Sequence, residues 1–105
     1  MKQMNQRDAI HYIMTRQEFK ASALTGTFKD YTPSEGRLNR EEYALLESAM
    51  NDSKIAFVIF SYGTPIAWHT DARGWYVVEQ KFSVTTSKHQ NYTRRAIAES
   101  LAVIV

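Results

Sequence analysis

The chain predicts an α+β fold: two N-terminal helices, a three-stranded antiparallel β-meander with a bent last strand, and a C-terminal helix packed on the sheet. Three observations carry this expectation. Ile55 to Phe60 is an unbroken apolar run, the pattern of a strand buried on both faces at the centre of a sheet. Two turn signals, Gly63-Thr64-Pro65 and Thr70-Asp71-Ala72-Arg73-Gly74, follow it at hairpin spacing. Stretches with helical spacing of apolar residues lie on either side. The length of 105 residues suits a single domain, 1–105, and no repeat, low-complexity tract or linker divides it.

In chain order, residues 6–19 read as an amphipathic helix. Ile10, Ile13, Met14 and Gln17 fall at i, i+3, i+4, i+7, with Asn5 as N-cap and Asp8 near the positive end of the dipole. Residues 20–38 read as a loop punctuated by Gly26, Pro33 and Gly36, with a turn at TPSEG and with Leu24, Phe28 and Tyr31 tacking it to the core. The second helix starts sharply. Asn39 and Glu42 form a capping box, Leu38 and Tyr43 a hydrophobic staple. Tyr43, Leu46 and Met50 then share a face, and Asn51-Asp52-Ser53 ends the helix.

Lys54 to Tyr62 is the first strand of the meander. Ile66 to His69 is the second, with Ile66 and Trp68 on one side and Ala67 and His69 on the other. Trp75 to Val78 is the third. Glu79-Gln80 reads as a bulge or bend, after which Lys81 to Thr85 continues extended with Phe82 and Val84 facing in. The last helix is expected from Ser87, whose pairing with Gln90 makes a second capping box. Tyr92, Arg95, Ala96 and Glu99 face one way, and Ile97, Leu101, Ile104 and Val105 form its apolar stripe. The apolar tail LAVIV either enters the core or joins two copies as a homodimer.

Composition narrows the function class. Without cysteine there is no disulfide, thiolate zinc site or cysteine nucleophile, which fits a reducing cytoplasm. The start MKQMNQRDAI lacks the apolar core of a signal peptide, and no run reaches the ~20 apolar residues of a membrane span. The net charge of +2 is mild but uneven. Residues 1–53 carry seven Lys/Arg against eight Asp/Glu, and residues 54–105 carry six against three. That excess suits an anionic partner and argues against an acidic mimic of DNA.

Ser61-Tyr62-Gly63-Thr64-Pro65-Ile66-Ala67-Trp68, followed by Lys81-Phe82-Ser83-Val84-Thr85-Thr86-Ser87-Lys88-His89-Gln90, resembles the signature of a family of small uncharacterised proteins of tailed bacteriophages. The resemblance spans roughly residues 54–98. It implies a phage origin and residence in the host bacterial cytoplasm. It implies no reaction, and it carries over no catalytic residue.

The TTSKHQ junction is the sharpest candidate site. A helix start offers unpaired N–H groups and partial positive charge. Thr85, Thr86 and Ser87 add hydroxyls, Lys88 and His89 add cations, and Arg94 and Arg95 follow one to two turns on. Lys81 and Arg73 extend the basic set. These residues are candidates for an anionic ligand or a partner; the bland alternative is an ordinary helix cap. His11, His69 and His89 lack ligand spacing, although His69 and Asp71 share a hairpin, so neither a metal nor a cofactor is expected. Ser87, His89 and Asp71 supply the residue types of a catalytic triad, but no G-x-S-x-G elbow, Walker loop or G-x-G-x-x-G accompanies them. The chain is therefore expected not to be an enzyme. The aromatics Tyr62, Trp68, Trp75 and Tyr76 suit either a core or an interface. The leading expectation is a non-catalytic protein that binds a host macromolecule, foremost a protein, to modulate or inhibit it. The alternatives are a nucleic-acid binder using the basic patch and a binder of a small anionic metabolite or nucleotide.

Overall fold

The computed structural model describes residues 8–28, 36–52 and 55–103. Helix α1 (Ala9–Met14) leads into a hairpin of β1 (Phe19–Ala21) and β2 (Leu24–Phe28). Helix α2 (Arg40–Asp52) follows, then β3 (Ile55–Ser61), β4 (Thr64–Thr70), β5 (Gly74–Val77) and helix α3 (Val84–Val103). The strands form one antiparallel sheet in the order β1-β2-β3-β4-β5. The fold is α+β, with a five-stranded sheet where the sequence predicts three strands.

The two additional strands replace the expected loop. Their alternation is real, but small residues hide it: Phe19, Ala21, Leu24 and Gly26 point inward. Phe19 pairs with Gly26, and a Cβ on Gly26 would meet the Phe19 ring at 2.4 Å, so the ring occupies the place of the missing side chain. The first helix is also shorter than predicted. Arg16 takes a left-handed conformation (φ 51°), its N–H bonds to Ile13 O and Gln17 N–H to Tyr12 O. This is a Schellman stop, here made by an arginine, which carries no sequence signal. Ile10 and Ile13 are buried as predicted, whereas Gln17 is exposed beyond the helix. The expected cap Asn5, Tyr31 and the segment TPSE lie outside the described residues.

β3 bears out the central-strand reading. Ile55, Phe57, Val58 and Ile59 are at most 3% exposed, with β2 on one side and β4 on the other. A register shift between Ile55 and Phe57 turns these two residues to opposite faces. A second shift, between Ile59 and Phe60, leaves Ile66 as an extra residue in β4. Ile66 and Ala67 therefore both join the cluster containing Ala9, Ile13, Phe57, Ile59 and Ala96, while Trp68 joins Leu46, Val58 and Phe60. The predicted alternation of Ile66 with Trp68 fails because of this bulge. The outcome is a three-layer arrangement, with α1 and α3 on one sheet face and α2 on the other.

Helix α2 starts as predicted, with Glu42 N–H donating to Asn39 Oδ1 at 2.9 Å. The box is not closed, because Asn39 N–H donates instead to Gln80 Oε1 at 2.7 Å and Glu42 accepts the Tyr76 hydroxyl at 2.6 Å. The bent last strand is a correction. After β5 one more ladder bond forms, from Val78 N–H to Ile66 O, and the chain then runs irregularly to a helix beginning at Val84, three residues before Ser87. Ser83 is the cap: its Oγ accepts from Thr86 N–H at 3.3 Å and its carbonyl from Ser87 N–H at 2.9 Å. Val84, expected to face inward, is 85% exposed at the outset of the helix.

Candidate functional site

The two signature runs meet in space at the end of the sheet where β3 turns into β4. Tyr62 (φ 52°) and Gly63 (φ 79°) make a two-residue turn with positive φ at both central positions, as a type I′ hairpin requires. Ser61 opens that turn and lies against the first turns of α3. Its hydroxyl donates to Thr86 Oγ1 at 3.1 Å and contacts His89 Nδ1 at 2.6 Å. Ser83 Oγ joins the chain through Thr86 at 3.3 Å. Tyr62 stacks on the imidazole, with centroids 6.1 Å apart.

This junction is closed. Ser61 is 1% exposed and His89 fully buried, and the ring's Nε2 has no partner. Burial, with the nearby Lys88 charge, holds the His89 pKa below its ordinary 6.5, so the ring is neutral at physiological pH. A neutral buried serine–histidine pair without solvent access is a polar lock between strand and helix. Gln90 extends the lock: it is buried, and its Nε2 donates to Val78 O at 2.7 Å and Gln80 O at 3.2 Å. The buried face of α3 is accordingly polar, comprising Thr86, His89, Gln90 and Thr93 before Ala96.

The sequence-predicted site residues divide. Thr86 and His89 belong to the lock, which corrects the expectation that His89 is exposed. Ser87 is half-buried one turn into the helix and caps nothing, so the predicted Ser87–Gln90 box does not exist. The N–H groups of residues 88–90 lie inside the helix, where they serve its own carbonyls rather than an anion. Lys81, Thr85, Lys88, Arg94 and Arg95 are exposed. Arg95 pairs with Glu99 at 3.3 Å, and Arg94 donates to Asn91 Oδ1 and Val78 O, both at 3.4 Å. Arg73 is remote, beyond the opposite end of β4 from Thr64. The predicted basic set is thus not one patch. Asp71 shares that far end, and it is Ser61 rather than Ser87 that pairs with His89. Nothing local in the sequence signals a partner 28 positions away.

His69 holds no metal geometry. Arg16 Nη1 donates to its Nε2 at 3.2 Å, its ring meets Trp75 edge-on at 5.2 Å, and its Nδ1 is buried without a partner. Burial first, and the Arg16 charge second, lower its pKa. Among the described residues, no group of three or more His, Asp or Glu is arranged to hold a metal ion.

At the far end of β4 a groove of about 260 Å³ opens between α2 and the β4–β5 hairpin. Leu45, Ser48 and Ala49 form its helical wall, and Trp68, Thr70, Arg73, Gly74, Trp75 and Tyr76 form the sheet side. Trp68 and Tyr76 pack at 5.1 Å, and the Tyr76–Glu42 hydrogen bond pins Tyr76 in place. Burial and that carboxylate raise the Tyr76 pKa far above the ordinary phenol value, so the hydroxyl stays protonated. Leu45 is 46% exposed, an apolar residue off the buried stripe of α2. Its position beside Leu46, outside the predicted face, is the sequence signal that could have marked this surface.

No curated protein and no solved structure matches the chain. Residues 10–99 match a protein family described only as a family of unknown function (DUF8033), and the match takes in all but the ends of the chain. The chain belongs to that family of unknown function.

Proposed function

We propose that this chain is a non-catalytic interaction protein whose groove between α2 and the β4–β5 hairpin docks a protein partner. The observation that carries the reading is the groove's lining: rigid aromatic walls, an arginine at the rim and an exposed leucine, the composition of protein-interface anchors. The partner this suits presents an apolar side chain to the slot, flanked by an acceptor or carboxylate for Arg73. The closed state of the Ser61–His89 pair supports a binding role over hydrolysis, because the serine is not accessible to a substrate. The resemblance of the two signature runs to small phage proteins supports a bacterial host protein as partner, met in the host cytoplasm and modulated or inhibited by the contact.

Capture from bacterial lysate by the immobilised chain tests this, run beside Leu45→Glu and beside nuclease-treated lysate. The expected result is one protein that survives nuclease and is lost with Leu45→Glu. Recovery that disappears with nuclease, and binding that falls steeply with salt, would favour the nucleic-acid alternative instead.

A further inference from the structure

We propose that the N-terminal half of α3, Val84 to Thr93, is a latch that acid opens: protonation of His89 releases this stretch from the sheet while α2, the sheet and the groove stay folded.

How this stretch is held comes first. Its buried side chains are Thr86, His89, Gln90 and Thr93, all of them polar. Its apolar contacts are slight: Tyr92 packs against the core only partly buried, and Val84 is exposed. Ala96, nearly one turn further on, is the first buried apolar residue of the helix. Hydrogen bonds therefore do the fastening. Ser61 reaches Thr86 and His89, and Gln90 donates to the carbonyls of Val78 and Gln80. The chain that enters the helix, residues 79–83, is irregular, with Phe82 half-buried between the two core clusters. A segment with few buried apolar contacts opens locally at lower cost than the core strands.

The ring inside the latch has no place for a second proton. His89 is fully buried, and its imidazolium would carry N–H donors on both nitrogens. The site offers Ser61 Oγ to Nδ1 at 2.6 Å, and Nε2 has no partner. Protonation in place would bury a charge together with an unsatisfied donor, whereas release hands both N–H groups to water. The surroundings do not offset that charge. β3 and its turn bring Ser61 and Tyr62, both neutral, and α3 brings Lys88, of like sign. α1, packed along α3, brings Asp8 and His11, and the segment before the helix brings Glu79 and Lys81. All four are exposed, and none bonds to Nε2. In the closed latch, burial first and Lys88 second hold the ring below its ordinary 6.5. The latch is therefore closed above about pH 6.5. Below it the open form binds one more proton than the closed form, so the opening constant grows about tenfold per pH unit. His69 is held by Arg16 and Trp75, neither of them on the released stretch.

This inference stands apart from the proposed partner: the groove lies on the other face of the sheet, and the test uses the purified chain alone. Amide hydrogen exchange is followed by NMR between pH 7.5 and 5.0, corrected for the pH dependence of the chemical exchange rate, on the wild type, His89→Gln and His69→Gln. In the wild type, opening at the amides of Gln90 to Thr93 is expected to rise about tenfold from pH 6.0 to 5.0 and to respond little to low denaturant, while the amides of Val58 and Ile59 in β3 stay at least about tenfold better protected. His89→Gln is expected to remove the rise and His69→Gln to keep it. If the α3 amides match those of β3 in protection and in denaturant response at pH 5.0, the helix opens only with the whole chain and the proposal is overturned. An opening that is the same at both pH values overturns it, as does a rise that survives in His89→Gln. Should His89→Gln fail to fold, His69→Gln decides, because a rise lost there assigns the proton to His69 instead.

Discussion

The two ends of β4 carry the residues most suggestive of chemistry, and they are built in opposite ways. At the Thr64 end, Ser61, Thr86 and His89 form a hydrogen-bonded chain sealed from water. At the Thr70 end, Trp75, Tyr76, Arg73 and Leu45 surround an open groove. The first end has the sequence motif and the second has the access. The contrast teaches that hydroxyls and an imidazole grouped at a strand-to-helix junction can serve to fasten the helix, since the polar partners satisfy one another inside the fold.

The largest effect comes from breaking what both ends share. Phe57 in β3 contacts Phe28 and Trp75 with ring centroids at 5.5 and 6.3 Å and is fully buried. Phe57→Ala is expected to cost about 3–5 kcal/mol, a large part of a small domain's stability, measured by denaturant unfolding.

The lock comes next. Ser61→Ala leaves His89 Nδ1 as well as Nε2 without a partner, at an expected cost of about 1–3 kcal/mol, with groove binding retained in the folded fraction. A cost near zero would mean that the junction does not fasten α3.

Acid weakens the same region. His89 and His69 both titrate below 6.5 in the folded chain, so under mildly acidic conditions the unfolded chain binds more protons. Stability is then full above about pH 6.5 and declines as the pH falls through the folded-state values. Denaturation midpoints at pH 7.5 and 5.0 are expected to show this loss, and His89→Gln to reduce but not abolish it, because His69 contributes with the same sign. A loss unchanged in His89→Gln would place the titration elsewhere.

A smaller effect separates two serines. Ser83→Ala is expected to cost about 1 kcal/mol through the lost cap of α3, and Ser87→Ala clearly less.

Much of the fold was legible in the sequence because long periodic segments dominate it. The apolar run of β3, the Asn39 cap of α2 and the Thr70-to-Gly74 hairpin all follow from local chemistry. What escaped has physical reasons. β1 and β2 hide their alternation behind Ala21 and Gly26, since Phe19 from the neighbouring strand fills the space above the glycine. α1 stops on a left-handed arginine. The start of α3 was displaced because SVTTS offers several capping residues, and the choice of Ser83 is settled by Ser61, far away in the chain, drawing Thr86 and His89 inward. Of the apolar stripe foreseen for α3, Ile97 is half-buried, and Ile104 and Val105 lie outside the described residues. Of the candidate site, the sequence located the junction, whereas the groove depends on α2 meeting the β4–β5 hairpin, a contact between residues about 20 to 30 positions apart.

The most direct test of the contrast compares two surfaces of the folded chain with one captured partner. Leu45→Glu alters the groove. Lys88→Ala with Arg94→Ala strips exposed cations from the junction. Both are surface changes expected to leave the unfolding midpoint nearly unchanged. Partner affinity measured by titration calorimetry should fall at least about tenfold for Leu45→Glu and stay at the wild-type value for the junction pair. Wild-type affinity in Leu45→Glu, with loss in the junction pair, would contradict the account and return the binding site to the start of α3.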